Sequence, residues 1–163
     1  MNRQEIKTYS TLYVVFVLSS KYYGVDMRST CRILPKEALT RVPKMPPLFK
    51  GTLSLRGKHV SVFDIRSRLG LKTTRQTAES RIIVVNTAGK DVGFVVDAVT
   101  GVLPVLNSSI EPVSTYDNHS DYLSGITTLG SRQVLLIDLD RMFSIFNSHI
   151  PAMQTDNMPA PVR

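Results

Sequence analysis

"LYVVFVLSSKYYGVDM" (Leu12–Met27) and "RIIVVNTAGKDVGFVV" (Arg81–Val96) overlay without a gap when the chain is shifted by 69 residues. Val15 falls on Val84, Lys21 on Lys90 and Gly24 on Gly93. Each stretch is short, β-branched and apolar, and each is broken once by small polar residues, around "SK" and "AGK". That pattern predicts a β-hairpin in both places.

Working outward, the match continues. "ILP" (Ile33–Pro35) falls on "VLP" (Val102–Pro104), and Pro43 on Pro112. Further along the offset becomes 74. Gly51 then meets Gly125, Leu55 meets Leu129, Val60 meets Val134, Asp64 meets Asp138 and Leu69 meets Phe143. The change of offset predicts an insertion in the second copy, around "TYDNHSD" (Thr115–Asp121). Two copies of one small β unit follow, each reading hairpin, ILP-type segment, proline, glycine, alternating strand and aspartate-started helix. "HVSVFDI" and "RQVLLIDL" supply the alternating strands, and "DVGFVVDAV" reads as one continuous run. Asp64 and Asp138 are suited to cap the helices that follow them, and Gly70 to stop the first. In "DLDRMFSIFN", Leu139, Met142, Phe143 and Phe146 share one helical face. The fold class is mostly β with short helices.

The repeat also sorts residues. Positions kept in both copies are candidates for scaffold. Opposite Arg56 and Gly57 stand Gly130 and Ser131, so the repeated scaffold does not require an arginine there.

With 163 residues, 42% hydrophobic and 20% charged, the chain is long enough for one domain of ordinary size or two small lobes sharing a core. Its net charge of +7 is uneven. Residues 1–81 hold sixteen basic and five acidic side chains, whereas residues 82–163 hold four and eight. Such asymmetry suits a partner that meets one side. Apolar runs such as "LYVVFVL" are too short to span a membrane, and "MNRQEIKTYS" lacks the apolar stretch of a signal peptide. A cytoplasmic protein is expected, and the single cysteine, Cys31, accords with a reducing compartment. Residues 148–163 hold three prolines and no periodicity, which predicts a flexible tail.

Catalytic motifs are missing: there is no nucleophile elbow, Walker loop or dinucleotide fingerprint. Asp117, His119 and Asp121 could in principle hold a metal, but a solvated loop is the favoured reading, and no metal or cofactor is expected. His59 reads as an exposed strand residue. The basic half admits nucleic-acid binding as an alternative function, since phosphate contacts dominate that affinity. Against it, the basic residues are scattered, and adjacent Tyr22 and Tyr23 point to opposite faces of a strand.

The strings "YYGVDM…RILP…TRVPKMPPLFKGTLSLRGKHVSVFDIRSRLG", "RIIVVNTAGKDVGFVVDAV" and "YLSGITTLGSRQVLLIDLDRMF" resemble the CheW family of bacterial chemotaxis coupling proteins over about Leu12 to Phe146. The resemblance implies a single domain over residues 12–147, built as two SH3-like five-stranded β-barrel lobes, after a short N-terminal extension (1–11). It implies a non-catalytic adaptor that links the cytoplasmic tip of transmembrane, methyl-accepting chemoreceptors to a CheA-type histidine kinase. Such an adaptor pairs with the kinase's CheW-like regulatory domain and is recruited to membrane-associated receptor arrays without entering the membrane. The family's receptor-facing positions fall on Met27, Thr30, Arg32, Gly51, Arg56 and Ile82, with Gly57 completing the "LRG" string. Thr30 and Arg32 stand where the family commonly has valine and glutamate, Ser54 where it has asparagine, and Ser61 where it has proline. Replacing a carboxylate by a guanidinium reverses the charge at an interface, where like charges oppose binding. The departure points to a different receptor class, or to service of only one of the two usual partners.

Overall fold

The apolar runs become ten strands: β1 (Ser10–Leu18), β2 (Lys21–Asp26), β3 (Thr30–Pro35), β4 (Phe49–Leu55), β5 (Lys58–Phe63), β6 (Arg81–Thr87), β7 (Lys90–Val96), β8 (Ala98–Leu106), β9 (Leu123–Leu129) and β10 (Arg132–Ile137). One helix, α1 (Leu139–His149), follows them. The structure, a computed structural model, describes residues 9–113 and 120–149, apart from the side chains of Cys31, Ser120 and 145–149.

The strands form two five-stranded sheets, ordered β8-β1-β2-β10-β9 and β3-β6-β7-β5-β4. The predicted hairpins are both present, as β1–β2 and β6–β7. Their sheets are built by exchange between the two copies. The β1–β2 hairpin of the first copy joins β8, β9 and β10 of the second, with β2 parallel to β10. The β6–β7 hairpin of the second copy joins β3, β4 and β5 of the first, with β7 parallel to β5. One lobe is therefore a continuous segment, and the other is assembled from both sides of it.

Each lobe is curled and closed near its base by one isolated bridge between its edge regions. Thr40 pairs with Thr52 in one lobe, and Glu111 with Ile126 in the other. The mutual amide–carbonyl distances are 2.7 and 2.8 Å in the first bridge and 2.8 and 2.9 Å in the second. These bridges correct the repeat alignment. Thr52 matches Ile126, so Thr40 matches Glu111 and Pro43 does not match Pro112. Part of the offset change therefore precedes the bridge. Backbone pairing sets register more strictly than a shared proline does.

Three apolar clusters result. Leu53, Val60, Val62, Ile82, Val84 and Val95 fill one lobe. Val15, Val134 and Leu136 fill the other, with Tyr13, Tyr22, Ile110 and Leu129 packed around them. The largest cluster lies between the lobes. Val14, Phe16, Leu18, Tyr23 and Val25 from one sheet meet Phe63, Ile83, Val85, Phe94 and Val96 from the other. Leu139, Met142 and Phe143 of α1 cover this junction. Both faces of β1 around Val14–Phe16 and of β6 around Ile82–Val85 are thus buried, which explains the continuous apolar runs there.

Two sequence expectations change. Asp138 does cap α1, its Oδ1 accepting from the Arg141 amide at 3.1 Å. The segment after Asp64 forms only a single 3-10 turn, Ser67–Leu69, rather than a helix like α1. Gly70 stops it in the left-handed region (φ +69°), as expected, and leaves no room for a second turn. The run "DVGFVVDAV" is not one strand: it breaks at Asp97, where the chain passes from one sheet to the other. Phe146 has a side chain outside the described residues, as do Asp117, His119 and residues 150–163 of the predicted tail.

Candidate functional site

The β4–β5 turn is built by Arg56 and Gly57, both with positive φ (+52° and +76°). Two-residue hairpin turns of this kind match the twist of the flanking strands and favour Asn-Gly or Gly-Gly. Arginine in the left-handed region is uncommon and costs backbone energy. The turn therefore holds a long cation at a position where glycine would serve folding better. The equivalent position in the other lobe does hold glycine, Gly130 (φ +63°).

Arg56 lines a groove of about 350 Å³ with Arg32, Leu55, Lys58 and Asp91. Arg32 lies on β3 and Leu55 on β4, which are opposite edges of the same sheet. The curl of the sheet brings these edges together, and the groove is the seam where they fail to pair. Arg32, Arg56 and Lys58 are all exposed, and none forms an ion pair among the described residues. Asp91 is held by the Asn86 side-chain amide at 2.9 Å.

The other lobe carries the same seam. There Leu129, Gly130, Arg132 and Tyr22 stand at the positions of Leu55, Arg56, Lys58 and Asp91, in a groove of about 280 Å³ completed by Val15 and Leu103. Its cation, Arg132, lies 4.6 Å over the Tyr22 ring, a cation–π contact that satisfies it. The scaffold thus makes a seam twice, but only one seam is strongly basic.

The remaining sequence-predicted residues separate into surface and scaffold. Met27 is exposed at the head of the 3-10 turn Met27–Ser29, beside exposed Leu12 in a shallow depression with Ser10, Thr11 and Arg28. Thr30 opens β3, and its hydroxyl donates to the Asp26 carbonyl at 3.3 Å. Asp26 caps the turn between them, accepting from the Arg28 amide at 2.8 Å and from its guanidinium at 2.7 Å. Burial works against the charged carboxylate. The Arg28 hydrogen bonds and charge outweigh it and hold Asp26 below its ordinary range.

Gly51 and Ile82 lie inside the lobe. Gly51 is buried in β4 with φ +149°, and a β-carbon there would lie 2.2 Å from the Thr40 carbonyl oxygen. It is glycine because the closing bridge passes over it. Ile82 is fully buried inside the lobe. Both shape the seam from within. His59 is exposed, as expected, and Asp121 is exposed in the turn Ser120–Tyr122. Among the described residues no group of three or more His, Cys, Asp or Glu side chains could hold a metal.

Sequence reasoning missed Arg66 and Asp97. Arg66 is 4% exposed and bridges two carboxylates. Its Nη1 donates to Asp64 Oδ1 at 3.1 Å, and its Nη2 donates to Asp97 Oδ1. Asp97 also accepts from the Ser19 amide (2.7 Å) and the Thr74 hydroxyl (2.9 Å). Ser19 belongs to the β1–β2 turn, so this cluster ties one lobe to the other. Two signals could have found it: an arginine two residues after Asp64, and an acid interrupting an otherwise apolar run.

Three of the basic residues of the first half are engaged within the fold. Arg66 is buried, Arg28 is paired with Asp26, and Lys50 lies 3.9 Å from Asp64. Tyr23 is buried in the inter-lobe core, stacked on Phe16, and Tyr22 lies under Arg132. These tyrosines therefore form no platform for bases.

Residues 12–146 match the family model of the CheW-like domain. The chain belongs to the CheW-like domain family. It is 29% identical to a chemotaxis protein CheW of Klebsiella aerogenes over 81% of each chain. It is 36% identical to that of Bacillus subtilis over 66% of this chain and 68% of the relative. Its fold is similar to the crystal structure of the scaffolding protein TtCheW from Thermoanaerobacter tengcongensis. There the TM-score is 0.73 at 32% identity, covering 82% of this chain and 92% of that one. The resemblance read from the motifs and the expected mostly-β, two-lobed CheW-like fold are both supported. Among the described residues no helix is long and apolar enough to cross a membrane.

Proposed function

We propose that this CheW-like chain is a non-catalytic adaptor that couples chemoreceptors to a CheA-type histidine kinase in a signalling array. The single observation that carries the reading is the CheW-like domain over residues 12–146, folded like a scaffolding protein of known structure. The mechanism is binding alone. One face meets the kinase's regulatory domain, and the Met27–Arg32 segment with the Arg56 turn meets the receptor's helical cytoplasmic tip. Arg56 is suited to that role because it is exposed, unpaired among the described residues and carried on a two-residue hairpin turn. A multi-donor cation so placed carries register and specificity. In the cell such a protein sits in the cytoplasm and is drawn to the array by these contacts.

Titration calorimetry of the full chain against a purified kinase regulatory domain and a receptor cytoplasmic fragment tests this. Saturable binding to both is expected. Arg56→Ala should weaken the receptor isotherm and leave the kinase isotherm unchanged. Absence of binding to either partner, where a standard coupling protein binds, would sink the reading. Nucleic acid is the less favoured alternative, and steeply salt-dependent binding to a single-stranded oligonucleotide would revive it.

A further inference from the structure

We infer that the seam between β3 and the β4–β5 turn is a specificity pocket for an acidic helical segment, with Arg32 as the residue that selects it. This rests on the adaptor reading and narrows it to one class of receptor tip, one that offers carboxylates to both Arg32 and Arg56.

Folding produces both seams, because each curled sheet leaves its edges unpaired beside the β4–β5 or β9–β10 turn. Folding does not dictate their charge. The β8–β9 seam is lined by Val15, Leu103, Leu129 and Tyr22, and its cation rests on an aromatic ring. The β3–β4 seam gathers Arg32, Arg56 and Lys58 with no ion pair among the described residues, and its carboxylate already accepts from Asn86. Like charges drawn together without partners repel one another. Arg56 adds a backbone cost to the same cluster. Three exposed cations with one carboxylate among them, a balance that the sister seam lacks, suit an occupant of complementary charge.

The occupant is a helix rather than a point anion. Arg32 lies on one edge strand, Leu55 ends the other and Arg56 follows it in the turn, so the groove joins two cations from separate elements with a half-buried apolar side chain. Carboxylates one turn apart on a helix, flanking an apolar residue, present that pattern. Arg32 projects from an edge strand whose register is set by pairing with Val84 and Ile83 on β6. Its substitution therefore changes charge at the seam without touching a core residue.

The test is a charge swap on the full chain. The probes are the cytoplasmic signalling fragment of a receptor from the same cell and a copy with its tip carboxylates changed to amides. The wild-type chain should bind the native fragment about tenfold or more tightly than the amide copy, with affinity falling as salt rises. Arg32→Glu should lose the native fragment, and a fragment with one tip glutamate changed to lysine should restore binding to Arg32→Glu. Kinase regulatory domain binding, measured in parallel, should not change. Equal affinity for native and amide fragments, or no rescue by the lysine fragment, overturns the inference and leaves the adaptor reading standing. Failure to bind both the fragment and the kinase domain overturns the adaptor reading itself. A salt-sensitive dimer of the chain alone, abolished by Arg32→Glu, would assign the groove to a second copy and overturn it as well.

Discussion

Arg56 and Gly51 sit five residues apart and obey opposite rules. Arg56 is uncommon for its backbone angle, so Arg56→Gly should relieve the turn. The expected gain is between zero and about 1 kcal/mol in urea unfolding, since glycine's extra unfolded-state entropy offsets part of it. The same variant should lose receptor binding, and a clear drop in stability would show Arg56 to be structural. Gly51→Ala should do the reverse. Its β-carbon would meet a backbone oxygen that belongs to the closing bridge and has no freedom to yield. A loss of about 2–4 kcal/mol is expected. Gly57→Ala is the control, because nothing lies within 4 Å of its β-carbon, and only about 1 kcal/mol of backbone cost should appear. The repeat made both residues legible as different in kind. It could not say that Gly51 lies beneath Thr40, because bridge partners twelve residues apart leave no periodic trace.

At the scale of the element, the 3-10 turn Met27–Ser29 depends on the Asp26 cap. Asp26 has a lowered pKa in the folded chain, so its charge-linked stability is present above the unfolded value, about 3.9, and is lost as pH falls through the lower folded value. Asp26→Asn should therefore cost stability at pH 7. The gap from wild type should narrow in melts as pH falls below the unfolded value, and a gap that did not depend on pH across the acid range would exclude a charge origin. The strands were read well because β-branched alternation is local. The turn at Ser67–Leu69 was overread, because an aspartate start and a glycine stop also describe a helix too short to form. Gly70 ends it after one turn, and Arg66 just before that turn is held by Asp64 and Asp97.

Across the whole molecule, the exchanged hairpins make the lobes interdependent. Arg66→Ala would leave two carboxylates of low exposure without their cation, and a loss of about 3–5 kcal/mol is expected. Because the largest apolar cluster joins the lobes, unfolding of that variant should remain one transition by fluorescence and circular dichroism. A peptide of residues 30–97 contains every strand of one sheet, yet it would expose Phe63, Ile83, Val85, Phe94 and Val96. It should fail to give a cooperative melt. Independent folding of that peptide would show that each lobe's own small core suffices.

By itself, the sequence determined the mostly-β class, the two hairpins, the repeat and the family, because each rests on local pattern or on order along the chain. It also singled out Arg56 as unneeded by the repeated scaffold. Only the tertiary structure decided that the two copies exchange hairpins, since pairing between distant strands is not written in any one window. The same holds for the pairing of buried Arg66 with half-buried Asp97, whose members are 31 residues apart. It holds again for the seam, where the curl of a sheet carries Arg32 from one edge to Arg56 at the other and turns separate cations into one basic groove.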